Sequence, residues 1–239
     1  MKMIKNIKTI KVGSLLGAFF ILFSVATSTA QDVSKEIPVE GFTKVYINIA
    51  CEVDLVQADE TKLVIEAEEQ LLEEINVDVT NGTLRITSDR KSWKKHKDEV
   101  DISLSVKNIE SFQVASALNL HANNKIFADK LSIIVGGVAN INMELECNKL
   151  MADISGVANI DIRGKAPLAV WKVSGTATLD AEDFITEATH FDFSGVGKGE
   201  VHATKILKAS VSGLGLIEYS GNPASITTNV SGLGKIKQD

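Results

Sequence analysis

Aromatic residues, prolines and cysteines are all scarce in this chain. Aromatics make up 5% of its 239 residues, and prolines number three. So few rings argue against a surface built to stack sugars along its length. No Pro/Gly/Ser-rich stretch divides the sequence, so nothing marks a linker between domains. The only cysteines are Cys51 and Cys147. Two cysteines without a CxxC pair or neighbouring histidines make no zinc set. A single bridge between them would stabilise by roughly 4–5 kcal/mol in the chain-entropy model. Spacing cannot show whether they meet, and two buried free thiols are the expected state.

Long apolar runs are missing too. The longest, Val12–Ala26, is about fifteen residues, short of the ~18 that suggest a membrane span. It follows Lys2, Lys5, Lys8 and Lys11 and precedes Ser28-Thr29-Ala30. A basic start, a short apolar stretch and a small-x-small site read as a signal peptide over 1–30. The expected product is an exported chain, in the periplasm or at the cell surface, with no membrane anchor after cleavage. It keeps 21 basic residues against 31 acidic ones, a net charge of about −10. That lacks the basic footprint nucleic-acid binding requires.

What is present is a phrase repeated seven times. It reads VASALNL from Val114, VGGVANI from Val135, ISGVANI from Ile154 and VSGTATL from Val173, then FSGVGKG from Phe193, VSGLGLI from Val211 and VSGLGKI from Val230. The copies start 21, 19, 19, 20, 18 and 19 residues apart. A fixed period near twenty means a solenoid with one turn per repeat. The starting column is almost all β-branched. Six residues on stand Leu120, Ile141, Ile160, Leu179, Gly199, Ile217 and Ile236. Polar residues lie between, as the period of a strand demands. Gly or Ala dominates two and four positions after the start, where the chain turns tightly. The spacing predicts an all-β fold, a right-handed parallel β-helix with coils about 4.8 Å apart.

Residues 31–239 read as one β-helical domain, regular over 111–239 and less so over 39–110. In the irregular part Val45, Ile47 and Ile49 alternate with polar residues, as do Leu63 and Ile65, Leu84 and Ile86, and Ile102, Leu104 and Val106. Ile75, Val77 and Val79 lead into Asn81-Gly82, a tight-turn dipeptide. These strands form either the first coils of the solenoid or a small sheet capping its end.

Gly137–Ile141 and Gly156–Ile160, iterated to Ser231-Gly232-Leu233-Gly234-Lys235-Ile236, resemble the family named "putative autotransporter adhesin, head-GIN domain". The likeness covers nearly all of 39–239. It implies an exported β-helical protein, common in Bacteroidetes, at the surface or in the periplasm, with an adhesive role. It brings no catalytic residues. The first copy departs by carrying Ser116 in place of glycine, and the fifth by carrying Gly199 in place of isoleucine.

Stacking turns a column into a ladder. Seven residues after each start lie His121, Asn142, Asp161, Asp180, Glu200, Glu218 and Lys237. Four consecutive carboxylates about 5 Å apart repel one another. Solvent, a divalent cation such as Ca2+, or a raised pKa would relieve them. Asp161, Asp180, Glu200 and Glu218 are therefore the candidate metal ligands. Retaining glycosidases use carboxyls at a similar separation, which makes a polysaccharide-processing enzyme the alternative reading. Asn119, Asn140 and Asn159 form a second column, expected to bond from coil to coil. Ser155, Ser174, Ser194, Ser212 and Ser231 do one geometric job, and no histidine recurs to make a triad.

The stretch DRKSWKKHKDE gathers Arg90, Lys91, Lys94 and Lys95 around Trp93. It is the candidate binding patch for an anionic surface or partner. Trp93 and Tyr219 read as the exposed aromatics, while Trp171 and Phe191 fall on inward parity. The expected function is non-catalytic: an adhesin, or a structural element of the cell envelope, with no cofactor unless the ladder takes Ca2+. A cell-surface glycan or an envelope protein is the expected partner. The last copy ends three residues after Ile236 and leaves an edge where two copies can pair into a homo-oligomer.

Overall fold

The computed structural model describes residues 32–88 and 100–239. The signal-peptide reading falls on residues outside these. The chain runs through β1 (Asp32–Ile37), β2 (Lys44–Asn48), β3 (Cys51–Gln57) and β4 (Lys62–Glu68) to a single turn, α1 (Glu69–Glu73). It continues as β5 (Ile75–Thr80), β6 (Thr83–Ser88), β7 (Asp101–Val106), β8 (Ser111–Val114), β9 (Ala117–Ala122) and β10 (Ile126–Val135). Three long strands follow, β11 (Val138–Ile154), β12 (Val157–Val173) and β13 (Thr176–Phe193). Then come β14 (Val196–Val211), β15 (Leu214–Ser220), β16 (Ser225–Val230) and β17 (Lys235–Gln238). The result is a β-solenoid of about seven turns.

From β8 onward every pairing is parallel, and residues one repeat apart stand on neighbouring coils. Strands of 16–18 residues, with register shifts at Asp161/Gly164 and Ala181/Ile185, run from one Ser-Gly corner to the next. That corner explains the glycine column. A Cβ on Gly156 would lie 2.0 Å from the Gly137 carbonyl oxygen, and one on Gly175 would lie 1.9 Å from that of Gly156. Their φ angles are not in the left-handed region. It is the close approach of stacked backbones, not the turn itself, that excludes a side chain here. The same carbonyls accept hydrogen bonds from the coil above: Val157 N–H donates to Gly137 at 2.9 Å, and Thr176 N–H to Gly156 at 3.0 Å.

Inside, the predicted columns form one apolar core that runs from Val39 to Ile217. Val135, Ile154 and Val173 stack over one another, as do Ile141, Ile160 and Leu179. Gly199 occupies the same inward column. The Phe191 ring fills the space its missing side chain leaves, and a Cβ there would meet that ring at 2.4 Å. Large Phe191 and absent Gly199 conserve volume together. Both cysteines are buried and free. Burial pushes the Cys51 thiol up to about 12 and that of Cys147 up to about 11.

The N-terminal strands serve both predicted purposes, but not in sequence order. β2 lies between β6 and β8, and β3 lies between β7 and β9. The first coil laid down is thus second in the stack, with the later β6–β7 coil outside it. The path returns because β5 and β6 form an antiparallel hairpin, turned by Asn81 and Gly82 at φ 52° and 71°. Two consecutive positive φ values are those of a type I′ turn. β4 pairs antiparallel with β7, and β1 with β4. These strands cover the end of the rod. At the far end β16 and β17 pair on one side only among the described residues, with β14 and β15. Val230 is 44% exposed where the stacked Val211 is 1%. Among the described residues no helix is long and apolar enough to cross a membrane.

Candidate functional site

The strand that follows each Ser-Gly corner builds one side face. Three outward columns run along it in register. The first is Ala117, Val138, Val157, Thr176, Val196 and Leu214. The four aliphatic members from Val138 onward are about half exposed, an apolar stripe rather than scattered residues. The second column is Asn119, Asn140, Asn159, Thr178 and Lys198, and the third is the acidic ladder. At the N-terminal end Glu52 and Asp101 flank this face, enclosing a groove of about 750 Å³ over the valine and asparagine columns.

The asparagine column bonds across coils as expected. Asn159 Nδ2 donates to Asn140 Oδ1 at 3.1 Å, and Asn119 Nδ2 to Glu52 Oε1 at 3.2 Å.

The acidic ladder is in register from Asp161 to Glu218, and neighbouring side chains pair with Asp161, Glu200 and Glu218. Asp161 accepts from Asn142 at 3.0 Å and pairs with Arg163 at 3.2 Å. Lys198 bridges Glu200, at 2.8 Å, to Glu218, and Lys237 from the last coil also pairs with Glu218. Hydrogen bonds from Lys198 and Lys237 hold the Glu218 carboxyl down at about 2. This is the opposite of the raised pKa that repulsion alone would produce. Among the described residues no group of three or more His, Cys, Asp or Glu side chains converges on a metal position.

Serines at the corner bond back to the previous coil. Ser194 Oγ donates to the Val173 carbonyl at 3.2 Å, and Ser155 Oγ reaches Val135 at 3.4 Å. His202 Nδ1 meets Ser220 Oγ at 2.9 Å. Arg90, Lys91, Trp93, Lys94 and Lys95 lie outside the described residues. Tyr219 is partly buried against the core, not exposed. Among the described residues the exposed aromatic is Phe127, which sequence reasoning passed over because it stands between two copies of the phrase.

A parallel β-solenoid with laddered side faces is the class this architecture defines. The chain belongs to the family described as "Putative auto-transporter adhesin, head GIN domain", which matches residues 41–223. Its fold is also that of solved structures. A "putative adhesin" from Bacteroides fragilis is 24% identical with a TM-score of 0.84, covering 87% of this chain and 97% of its own. A "putative adhesin" from Parabacteroides distasonis is 21% identical at TM-score 0.67, covering 88% and 98%. A "putative lipid binding protein" from the same species is 18% identical at 0.67, again covering 88% and 98%. No curated protein of established function matches the chain.

Proposed function

We infer that the protein is an exported, non-catalytic recognition module of the cell envelope, adhesive in the sense of its family's description. The observation that carries this reading is the side face. In register along it run an apolar column from Val138 to Leu214, interrupted by Thr176, amides over Asn119–Asn159 and carboxylates over Asp161–Glu218. An extended partner laid along the rod meets one outward contact row per coil, apolar on most of them, so weak contacts add through multivalency. Polysaccharide cleavage would have to rest on Asp161 and Asp180, since Lys198 ties up Glu200 and Glu218. Calcium stiffening meets the same obstacle there.

A glycan array probed with purified protein, with and without calcium, tests the reading. Selective binding that weakens when Val138 and Val157 are both changed to Asp supports it. Asp180→Asn leaves a binder intact and would abolish turnover by an enzyme. Absence of binding in both conditions rejects the glycan arm, and crosslinking in the native envelope then decides for or against a protein partner.

A further inference from the structure

A second concavity lies on another side of the rod. The strand segments 126–131, 145–150, 164–169 and 184–189 stack in parallel, and a groove of about 850 Å³ runs across these four coils. Its length is about 15 Å. Small residues such as Ala128 and Ala166 floor it, and one wall begins at Phe127 and ends at Ile185. The opposite wall carries Asp129, Asn148, Pro167 and Glu187.

Phe127 is the feature that calls for a ligand. It is 56% exposed, while Phe112, Phe184, Phe191 and Phe193 are at most 1% exposed. Its backbone is clamped from both sides by one amide. Phe127 N–H donates to Gln57 Oε1 at 2.7 Å, and Gln57 Nε2 donates to the Phe127 carbonyl at 2.9 Å. Gln57 is itself fixed by Asn124, whose amide makes two reciprocal bonds of 2.9 Å with the Gln57 main chain. The backbone that carries the ring is thus fixed at the groove mouth before anything binds, which lowers the entropic cost of using it.

We propose that this groove is a binding site for a short stretch of neutral glycan, with Phe127 as the stacking platform. A pyranose has one apolar face of C–H bonds and a rim of hydroxyls. The groove matches this with a ring, Pro167 and Ile185 against the face, and amide and carboxylate groups against the rim. Charge selects for neutrality. Glu146 is paired with Lys165 at 3.0 Å and Glu187 with Lys205 at 2.7 Å, so no free cationic patch awaits an anionic chain. Segments 145–150 and 164–169 have a strand on each side, and the outer edge of 126–131 is occupied at Phe127 by the Gln57 amide, which leaves little free backbone for a peptide to add as another strand. The groove is an open trough with a polar wall, which would leave an acyl chain wet. The site is separate from the ladder face and does not depend on that face being adhesive.

Calorimetric titration of the purified protein with neutral hexasaccharides of glucose, mannose, galactose and N-acetylglucosamine tests the site, with polygalacturonate as the anionic control. At least one neutral chain is expected to bind. Phe127→Ala should weaken it about tenfold, Phe127→Tyr should retain it, and Asn148→Ala should weaken it severalfold. Melting temperature should stay unchanged in Phe127→Ala, because the ring is exposed. The Val138→Asp, Val157→Asp pair should leave this binding intact, which separates the site from the ladder face. Binding by none of the neutral chains, binding of polygalacturonate alone, or full affinity in Phe127→Ala each overturns the proposal.

Discussion

Changing Gly175 to alanine asks whether coil spacing is set by backbone contact at the corner. The new Cβ would lie 1.9 Å from the Gly156 oxygen and 2.6 Å from that of Ser155. That is about 1.5 Å inside ordinary contact, and both atoms belong to backbone that cannot rotate away. Relief requires opening the corner, which strains the Thr176-to-Gly156 bond at 3.0 Å and the Gly175-to-Ile154 bond at 3.2 Å. Overpacking costs about 1–3 kcal/mol, and each weakened backbone bond adds about 1 kcal/mol. Lower entropy of the unfolded chain returns about 0.4–1 kcal/mol. The net expectation is a loss of about 3 kcal/mol. Gly136 is the internal control, because a Cβ there would meet its nearest neighbour, the Val114 oxygen, at 3.7 Å. Gly136→Ala should be neutral or slightly stabilising. Urea unfolding with unchanged m-values measures both. If the two variants fall within about 0.5 kcal/mol of each other, the glycine column does not owe its identity to stacked carbonyls.

Three further outcomes follow from particular contacts. Glu218 is held at about 2, below its ordinary 4.5, so its contribution to stability is fully present above 4.5 and is lost as pH falls toward 2. Glu218→Gln should lower the melting temperature at pH 7 and flatten the decline between pH 4.5 and 2, and parallel wild-type and variant curves would sink this assignment. Gly199→Ala should destabilise by crowding Phe191, and Phe191→Leu in the same chain should restore part of the loss. A double-mutant cycle with no coupling would show that the ring and the glycine do not share one space. Amides of β16 and β17 should exchange with deuterium fastest in the regular coils and those of β12 slowest, whereas uniform protection would mean that something, such as a second copy, covers the open end.

How much of this was legible follows from what a repeat does and does not record. Val135, Ile154 and Val173 share a column because each must meet the residue one coil away, so parallel stacking can be read from spacing alone. The order of the first coils cannot. Val45 and Leu84 carry the same alternation, and nothing in it says that Leu84 lies outside Val45. That order is fixed by antiparallel pairings of β1, β4 and β5, which leave no periodic trace. The glycine column was visible, but its cause was not. A turn and a stacked carbonyl both select glycine, and only the 1.9–2.0 Å approaches at Gly156 and Gly175 separate them.

The candidate site shows the same division between column and diagonal. Reading one column at a time, Asp161 to Glu218 is a run of like charges in need of relief. The relief comes from Lys198, two residues back in the asparagine column, and from Lys237 one coil on in the ladder itself. Neither is a carboxylate's like-for-like neighbour, so charge balance on such a rod must be judged across columns. Specific recognition needs the reverse of regularity. Residues that every coil repeats are those the stack requires, and a ligand that distinguishes one place on the rod must read a departure from them. Phe127 is such a departure, a ring in a column that continues as Glu146, Lys165 and Ile185. Its fixing by Gln57, 70 residues earlier in the chain, joins the out-of-order coils to the regular ones. The irregular N-terminal strands therefore do more than cover an end: through Gln57 they fix the backbone from which the Phe127 ring projects.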